Sequence, residues 1–139
     1  MRLPLPLTAA ALSLVCFASL AAAQETPTVH RVTFKQGQAT LRGGVKGYAS
    51  NDYVFPVGAG ESMKVSLASG KAFFNVLPPG SKDEAIFVGS TSGATFEGVA
   101  ATSGDYTARV YLMRNEARRG TAARYTLSIR LGDKSASGK

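Results

Sequence analysis

Along most of this chain apolar and polar residues alternate with a period of two, the pattern of strands that bury one face. Tyr106, Ala108, Val110 and Leu112 share one parity, and so do Tyr125, Leu127, Ile129 and Leu131, with Thr126, Ser128 and Arg130 opposite. Tyr53, Phe55 and Val57 alternate, then Met63, Val65 and Leu67 after the turn Gly58-Ala59-Gly60. Leu41, Gly43 and Val45 face one way, and Arg42, Lys46 and Tyr48 the other. Val32 and Phe34, against Arg31, Thr33 and Lys35, predict a brief first strand, and Phe73–Leu77 and Ile86–Val88 are short apolar runs. Turn signals separate these segments: Gly43-Gly44, Ser50-Asn51-Asp52, Pro78-Pro79-Gly80, Ser92-Gly93 and Ser103-Gly104. No stretch keeps a helical period for long. The pattern predicts an all-β fold, an antiparallel β-sandwich of short strands.

The first residues break the pattern. Arg2 heads an apolar run that contains Pro4 and Pro6 and ends in Ala21-Ala22-Ala23, small residues that suit signal-peptide cleavage between Ala23 and Gln24. The run is at the short end for a membrane span and lacks a stop-transfer flank, so stable membrane insertion is not expected. Cys16 follows Val15 rather than the small residue of a lipoprotein site, and leaves with the signal. The expected organisation is a signal peptide at 1–23, one β-sandwich domain at 24–132 and a flexible tail at 133–139. The exported domain then has no cysteine and no disulfide, and its core must supply the stability. The chain carries a net charge of +7, one unit of which is Arg2 in the signal. A basic exported domain suits an acidic partner, and export argues against nucleic acid.

Catalytic chemistry is poorly supplied. His30 is the single histidine, near the start of the domain, and reads as a surface or edge-strand residue rather than a triad member. Without cysteine and with one histidine, a metal site of the usual His and Cys type is excluded, and no cofactor motif is present. The carboxylates do not cluster into a glycosidase pair; Asp83-Glu84 reads as a solvated loop. The chain reads as a binder, not an enzyme.

The stretch SGDYTARVYLMRNEARRG, Ser103 to Gly120, carries the sharpest signal. It begins as a strand and ends with Arg114, Arg118 and Arg119 opposed only by Glu116. In a helical turn Arg114 and Arg118 share a face and repel, which costs about 0.2–0.5 kcal/mol and is not a choice local stability makes. With KGYASNDYVFPVGAGESMKVSL and FFNVLPPG upstream, and GTAARYTLSIRL downstream, this stretch resembles the bacterial periplasmic inhibitors of g-type lysozyme, from about Gly44 to Leu131. The strand and turn motifs are shared with many secreted sandwiches, such as pre-peptidase C-terminal domains. RNEAR followed by a basic loop, and the KGY at Lys46–Tyr48, are more specific. The resemblance implies a pre-peptidase C-terminal-like β-sandwich that inserts basic and tyrosine loops into the cleft of g-type lysozyme. It implies a periplasmic protein that protects peptidoglycan against host defence, acting as a monomer or weak homodimer.

The family's motifs fall on Tyr48, on Ser103, Gly104 and Tyr106, and on Arg114, Asn115, Ala117 and Arg118. The lysozyme-binding candidates are therefore Tyr48, Ser103, Tyr106, Arg114, Asn115, Arg118 and Arg119. Arginine suits the purpose because its planar fork grips a carboxylate through two hydrogen bonds. Each candidate has a plainer reading. Arg114 and Arg118 fit a solvated hairpin tip, Arg119 a steering charge, Asn115 a turn former, and Ser103 a turn. Tyr106 has core parity, whereas Tyr48 lies on the polar parity and is expected to be exposed. Tyr111 and Met113 also point away from the core. The alternatives from other classes are a secreted β-sandwich carbohydrate-binding or peptidase-accessory module and an anion-binding surface protein. At this length no enzyme domain is expected beside such an accessory module.

Overall fold

The computed structural model describes Arg2, Pro4 and residues 26–134, with side chains to 132. The expected signal peptide and its cleavage point, and residues 135–139 of the expected tail, lie outside the described residues. The described residues form nine strands in two sheets. In chain order they are β1 (Thr28–Arg31), β2 (Gln38–Lys46), β3 (Asn51–Val57), β4 (Glu61–Ala68) and β5 (Ala72–Leu77). Then come β6 (Phe87–Val88), helix α1 (Gly89–Ser92), β7 (Thr95–Val99), β8 (Gly104–Leu112), helix α2 (Arg114–Arg118) and β9 (Ala122–Lys134). One sheet has the order β1-β3-β8-β5-β6 and the other β2-β9-β4-β7. All pairings are antiparallel except β1 with β3. The predicted all-β sandwich is the observed fold.

Every link except β5 to β6 passes from one sheet to the other, so the inward parities of both sheets close on one core. Phe55, Phe74, Val65, Val76, Ala108, Val110 and Leu127 have no exposure at all. Each large apolar side chain buried this way contributes about 1.5–3 kcal/mol. At one margin Phe96 of β7 and Phe74 of β5 pack on Phe87 of β6, with ring centroids 5.3 and 5.1 Å from it. At the other, the hydroxyls of Tyr53 and Tyr125 meet 2.5 Å apart, and Asn51 donates to Tyr125 at 2.9 Å. Burial, and then the Tyr53 hydrogen bond, push ionisation of Tyr125 well above the ordinary tyrosine range.

The structure departs from the sequence reading at several points: β9 runs on through Asp133 and Lys134 of the expected tail, and β3 takes in Asn51 and Asp52 of an expected turn. The first strand is Thr28–Arg31, not the Val32–Phe34 alternation. Val32 is buried and its N–H still reaches the Val54 carbonyl, but from there the chain is crossing to the second sheet. Gly43-Gly44, read as a turn, lies inside β2. A Cβ on Gly43 would sit 2.6 Å from the Tyr125 hydroxyl and 2.8 Å from that of Tyr53, so the glycine makes room for the tyrosine pair. Strand β7 was not foreseen at all.

Candidate functional site

Strand direction and register decide which loops share an end of the sandwich. Lys46 pairs with Ala122, Asn51 with Val110, and Ala72 with Leu112. The turn after β2, the loop before β5 and the α2 segment therefore lie together. At the other end Val57 pairs with Gly104, and Gln38 with Arg130. The nine residues of β8 separate the two ends by roughly 27 Å.

At the first end, α2 is one short turn of helix on the link between β8 and β9. Its Ala117 is buried, with its carbonyl beside Gly47 of the turn after β2, while Arg114, Asn115, Arg118 and Arg119 are exposed. The helical geometry sets Arg114 and Arg118 four residues apart on one face, the arrangement that repels. Around it the loops are tied to one another. Gly47 N–H donates to the Thr121 carbonyl at 2.9 Å, and Gly47 adopts a left-handed φ of 60° that a side chain would strain. Tyr48, the next residue, is 52% exposed beside α2. The Thr121 hydroxyl donates to Glu116 Oε2 at 2.6 Å, and Lys71 Nζ lies 3.6 Å from the same oxygen. Ser69 Oγ donates to the Arg124 carbonyl at 3.0 Å.

This arrangement holds the helix from below and leaves its cations free. The Thr121 hydrogen bond draws the Glu116 carboxyl below its ordinary value; partial burial opposes this, and the charges of Lys71 and Arg119 assist it. Arg114, Arg118 and Arg119 take part in none of the side-chain hydrogen bonds or ion pairs found among the described residues. Three unpaired guanidinium groups and an exposed phenol ring on an anchored turn can receive carboxylates and hydrogen-bond acceptors from a partner. Met113, at the entry to α2, adds an apolar contact surface, 39% exposed. Tyr111 is half-covered and donates to Asn75 Oδ1 at 2.9 Å.

The remaining candidates lie elsewhere. Ser103 is at the opposite end, where its Oγ accepts the Ala59 N–H at 2.8 Å and ties two loops together. Tyr106 is 2% exposed, its ring in the core and its hydroxyl donating to the Thr102 carbonyl at 3.0 Å. The structure thus gathers Tyr48, Arg114, Asn115, Arg118 and Arg119 at one end and separates Ser103 and Tyr106 from them. Sequence reasoning missed Lys71 and Thr121, which position α2 through Glu116. The signal was weak, because Lys71 is distant in sequence and Glu116 read only as a counter-charge. A second ion pair, Arg109 to Asp52 at 2.7 and 2.9 Å, lies on the outer face of the first sheet, where Arg109 also binds the Lys82 carbonyl at 2.9 Å. It pins the 78–86 loop over that face. Among the described residues no group of three or more His, Cys, Asp and Glu side chains is placed to hold a metal ion.

No protein-family model matches the chain, and no curated protein sequence does. Solved structures do. PliG of Aeromonas hydrophila, a periplasmic lysozyme inhibitor of g-type lysozyme, is 33% identical with a TM-score of 0.70, over 76% of this chain and 96% of that one. PliG of Salmonella Typhimurium is 27% identical with a TM-score of 0.61, over 76% of this chain and 99% of its own. A mutant of the Escherichia coli PliG is 26% identical with a TM-score of 0.61, over 77% and 99%. With that identity across nearly the whole of the Aeromonas protein, this chain belongs to the PliG family, the periplasmic inhibitors of g-type lysozyme.

Proposed function

We propose that this protein is an exported, periplasmic inhibitor of g-type lysozyme, not an enzyme, and that it blocks the lysozyme cleft with α2 and the Tyr48 turn. The observation that carries the inhibitor reading is the family membership, with each neighbouring structure described as an inhibitor of that enzyme. The cleft reading rests on chemistry. A lysozyme keeps ionisable carboxyls in its cleft to cleave a glycosidic bond. Arg114 and Arg118 are unpaired guanidinium groups on a projecting, anchored turn, which is what such a cleft accepts. Tyr48 and Met113 add the apolar contact that excludes water around the charges. Arg119 steers the encounter. Blocking the cleft protects the peptidoglycan of the producing cell. The second end of the sandwich, with Ser103, and the core position of Tyr106 support the fold rather than the contact.

The test is kinetic. Truncating one partner of a buried, hydrogen-bonded charge pair costs about 2–5 kcal/mol, on the order of 30-fold to several-thousand-fold in affinity. Arg118→Ala is expected to dissociate from immobilised g-type lysozyme faster by such a factor, with an unchanged or slightly raised melting temperature because the Arg114 repulsion is gone. Arg119→Ala is expected to slow association only, an effect that salt masks. If Arg118→Ala binds like the parent protein, α2 is a solvated tip and not the anchor.

A further inference from the structure

The two outer faces of the sandwich differ. The outer face of the first sheet is crossed by the 78–86 loop, whereas no described residue covers that of β2, β9, β4 and β7. On the open face one row of hydroxyls crosses all four strands. Thr40 pairs with Ser128, Ser128 with Ser66, and Ser66 with Thr95. One register step toward the far end, Arg130 and Lys64 are direct neighbours. One step the other way is Arg42, with Arg124 diagonal to it across β2 and β9. Successive same-face residues on a strand are roughly 7 Å apart, so the hydroxyl row is a narrow floor between two cationic banks.

Folding does not ask for this arrangement. Like charges directly opposite on neighbouring strands are destabilising. Lys64 is partly compensated by Glu97 at 3.3 Å, but the guanidinium groups of Arg42, Arg124 and Arg130 take part in none of the hydrogen bonds or ion pairs found among the described residues. A shallow depression of about 200 Å³ lies on the floor, lined by Thr40, Ser66, Ser128, Lys64 and Arg130 among others. Among the described residues, the floor and its banks carry no outward aromatic or large aliphatic side chain; Val99, exposed one step beyond the Lys64–Glu97 pair, stands alone, and a single valine gives little to insert into a bilayer. A track of hydroxyls between cations matches a linear polymer that carries both sugar hydroxyls and carboxylates.

We propose that this face binds a polyanionic glycan of the cell wall, a carboxylate-bearing strand of peptidoglycan, separately from the α2 end. The hydroxyl row hydrogen-bonds the saccharide, and Arg42, Arg124 and Arg130 hold the carboxylates. The wall would then concentrate the protein where a lysozyme attacks, by raising the effective concentration without new contacts to the enzyme. This uses the proposed export but not the proposed inhibition. A chain that binds the wall and fails to inhibit lysozyme keeps the inference.

The experiment is co-sedimentation of the exported protein with purified peptidoglycan sacculi at low and at high salt, beside vesicles containing anionic phospholipid. The protein is expected to sediment with sacculi, less so at high salt, and more than with vesicles. The Arg42→Gln, Arg130→Gln double variant, altered only at exposed positions, is expected to lose about tenfold in apparent affinity while melting like the parent. A Thr40→Ala, Ser128→Ala variant is expected to weaken binding with the cations intact. Arg114→Ala with Arg118→Ala, at the other site, is expected to sediment like the parent. Protein that stays in the supernatant overturns the proposal. So does a double arginine variant that sediments unchanged, an equal loss on changing the α2 arginines, or preference for the vesicles.

Discussion

Tyr106 separates a core role from an interface role most cleanly, because two substitutions remove different parts of it. The ring is 2% exposed among the inward residues of β8, and the hydroxyl donates to the Thr102 carbonyl at 3.0 Å. Tyr106→Phe keeps the ring and deletes one hydrogen bond. Thr102 is exposed, so water takes over at its carbonyl, and the loss falls at the low end of about 0.5–1.5 kcal/mol. Tyr106→Ala also empties the ring's place in the core, at about 3–5 kcal/mol. In a domain of this size each kcal/mol moves the melting temperature by about 4 °C. Tyr106→Phe is therefore expected to melt a few degrees below the parent, and Tyr106→Ala about 12–20 °C below it or not to fold. The assay pairs thermal melting by circular dichroism with titration of g-type lysozyme activity well below either melt. Tyr106→Phe should inhibit as the parent does. A variant that melts normally but inhibits tenfold more weakly would overturn the core assignment of Tyr106, because only a hydroxyl in contact with the enzyme has that effect.

Gly43→Ala drives a methyl group into the hydroxyls of Tyr125 and Tyr53 and is expected to cost about 1–3 kcal/mol in melting experiments, with Tyr125→Phe in the same chain recovering part of the loss. Arg109→Ala leaves Asp52 unpaired with its side chain 11% exposed; partial solvation at Arg109 reduces the penalty to about 2 kcal/mol, and a double-mutant cycle with Asp52→Ala should return a coupling of that order. Glu116 has a lowered folded-state pKa, so its stabilisation is complete above its ordinary value of 4.5 and is lost as pH falls through the lowered one. Below about pH 4.5 the protection of the α2 amides, relative to their intrinsic exchange rate at each pH, is expected to fall, and Glu116→Gln should flatten that dependence.

Most of the sandwich is legible in the sequence because its strands bury one face. The alternation of Tyr106 to Leu112 and of Tyr125 to Leu131 maps directly onto β8 and β9. Strand β7 escaped for a physical reason. Its core-facing positions are Phe96 and Gly98, and the Phe96 ring occupies the space a Gly98 side chain would need, at 2.9 Å, so the alternation shrinks to one residue. Val99 then sits exposed on the polar parity and blurs the pattern further. Gly43 misled in the opposite sense, because close approach of two tyrosines selects glycine inside a strand as readily as a turn does. The proposed site was legible as chemistry but not as geometry. Three arginines around one glutamate mark the α2 segment, and the exposure of Tyr48 follows from parity. The strand read at Tyr106–Leu112 already implies that Ser103 and Arg114, which bracket it, lie at opposite ends of the molecule; a linear reading does not reveal which other loops join Arg114 at its end. Nor does it reveal that Lys71 reaches Glu116 from another loop.

Inhibition confined to one class of lysozyme is checked by a single comparison. The purified exported protein is mixed with g-type, c-type and i-type lysozymes, and lysis of cell-wall suspensions is followed for each. Lysis by the g-type enzyme is expected to stop in proportion to added protein, while the c-type and i-type enzymes continue. Equal inhibition of the c-type enzyme, or continued lysis by all of them, would contradict that expectation.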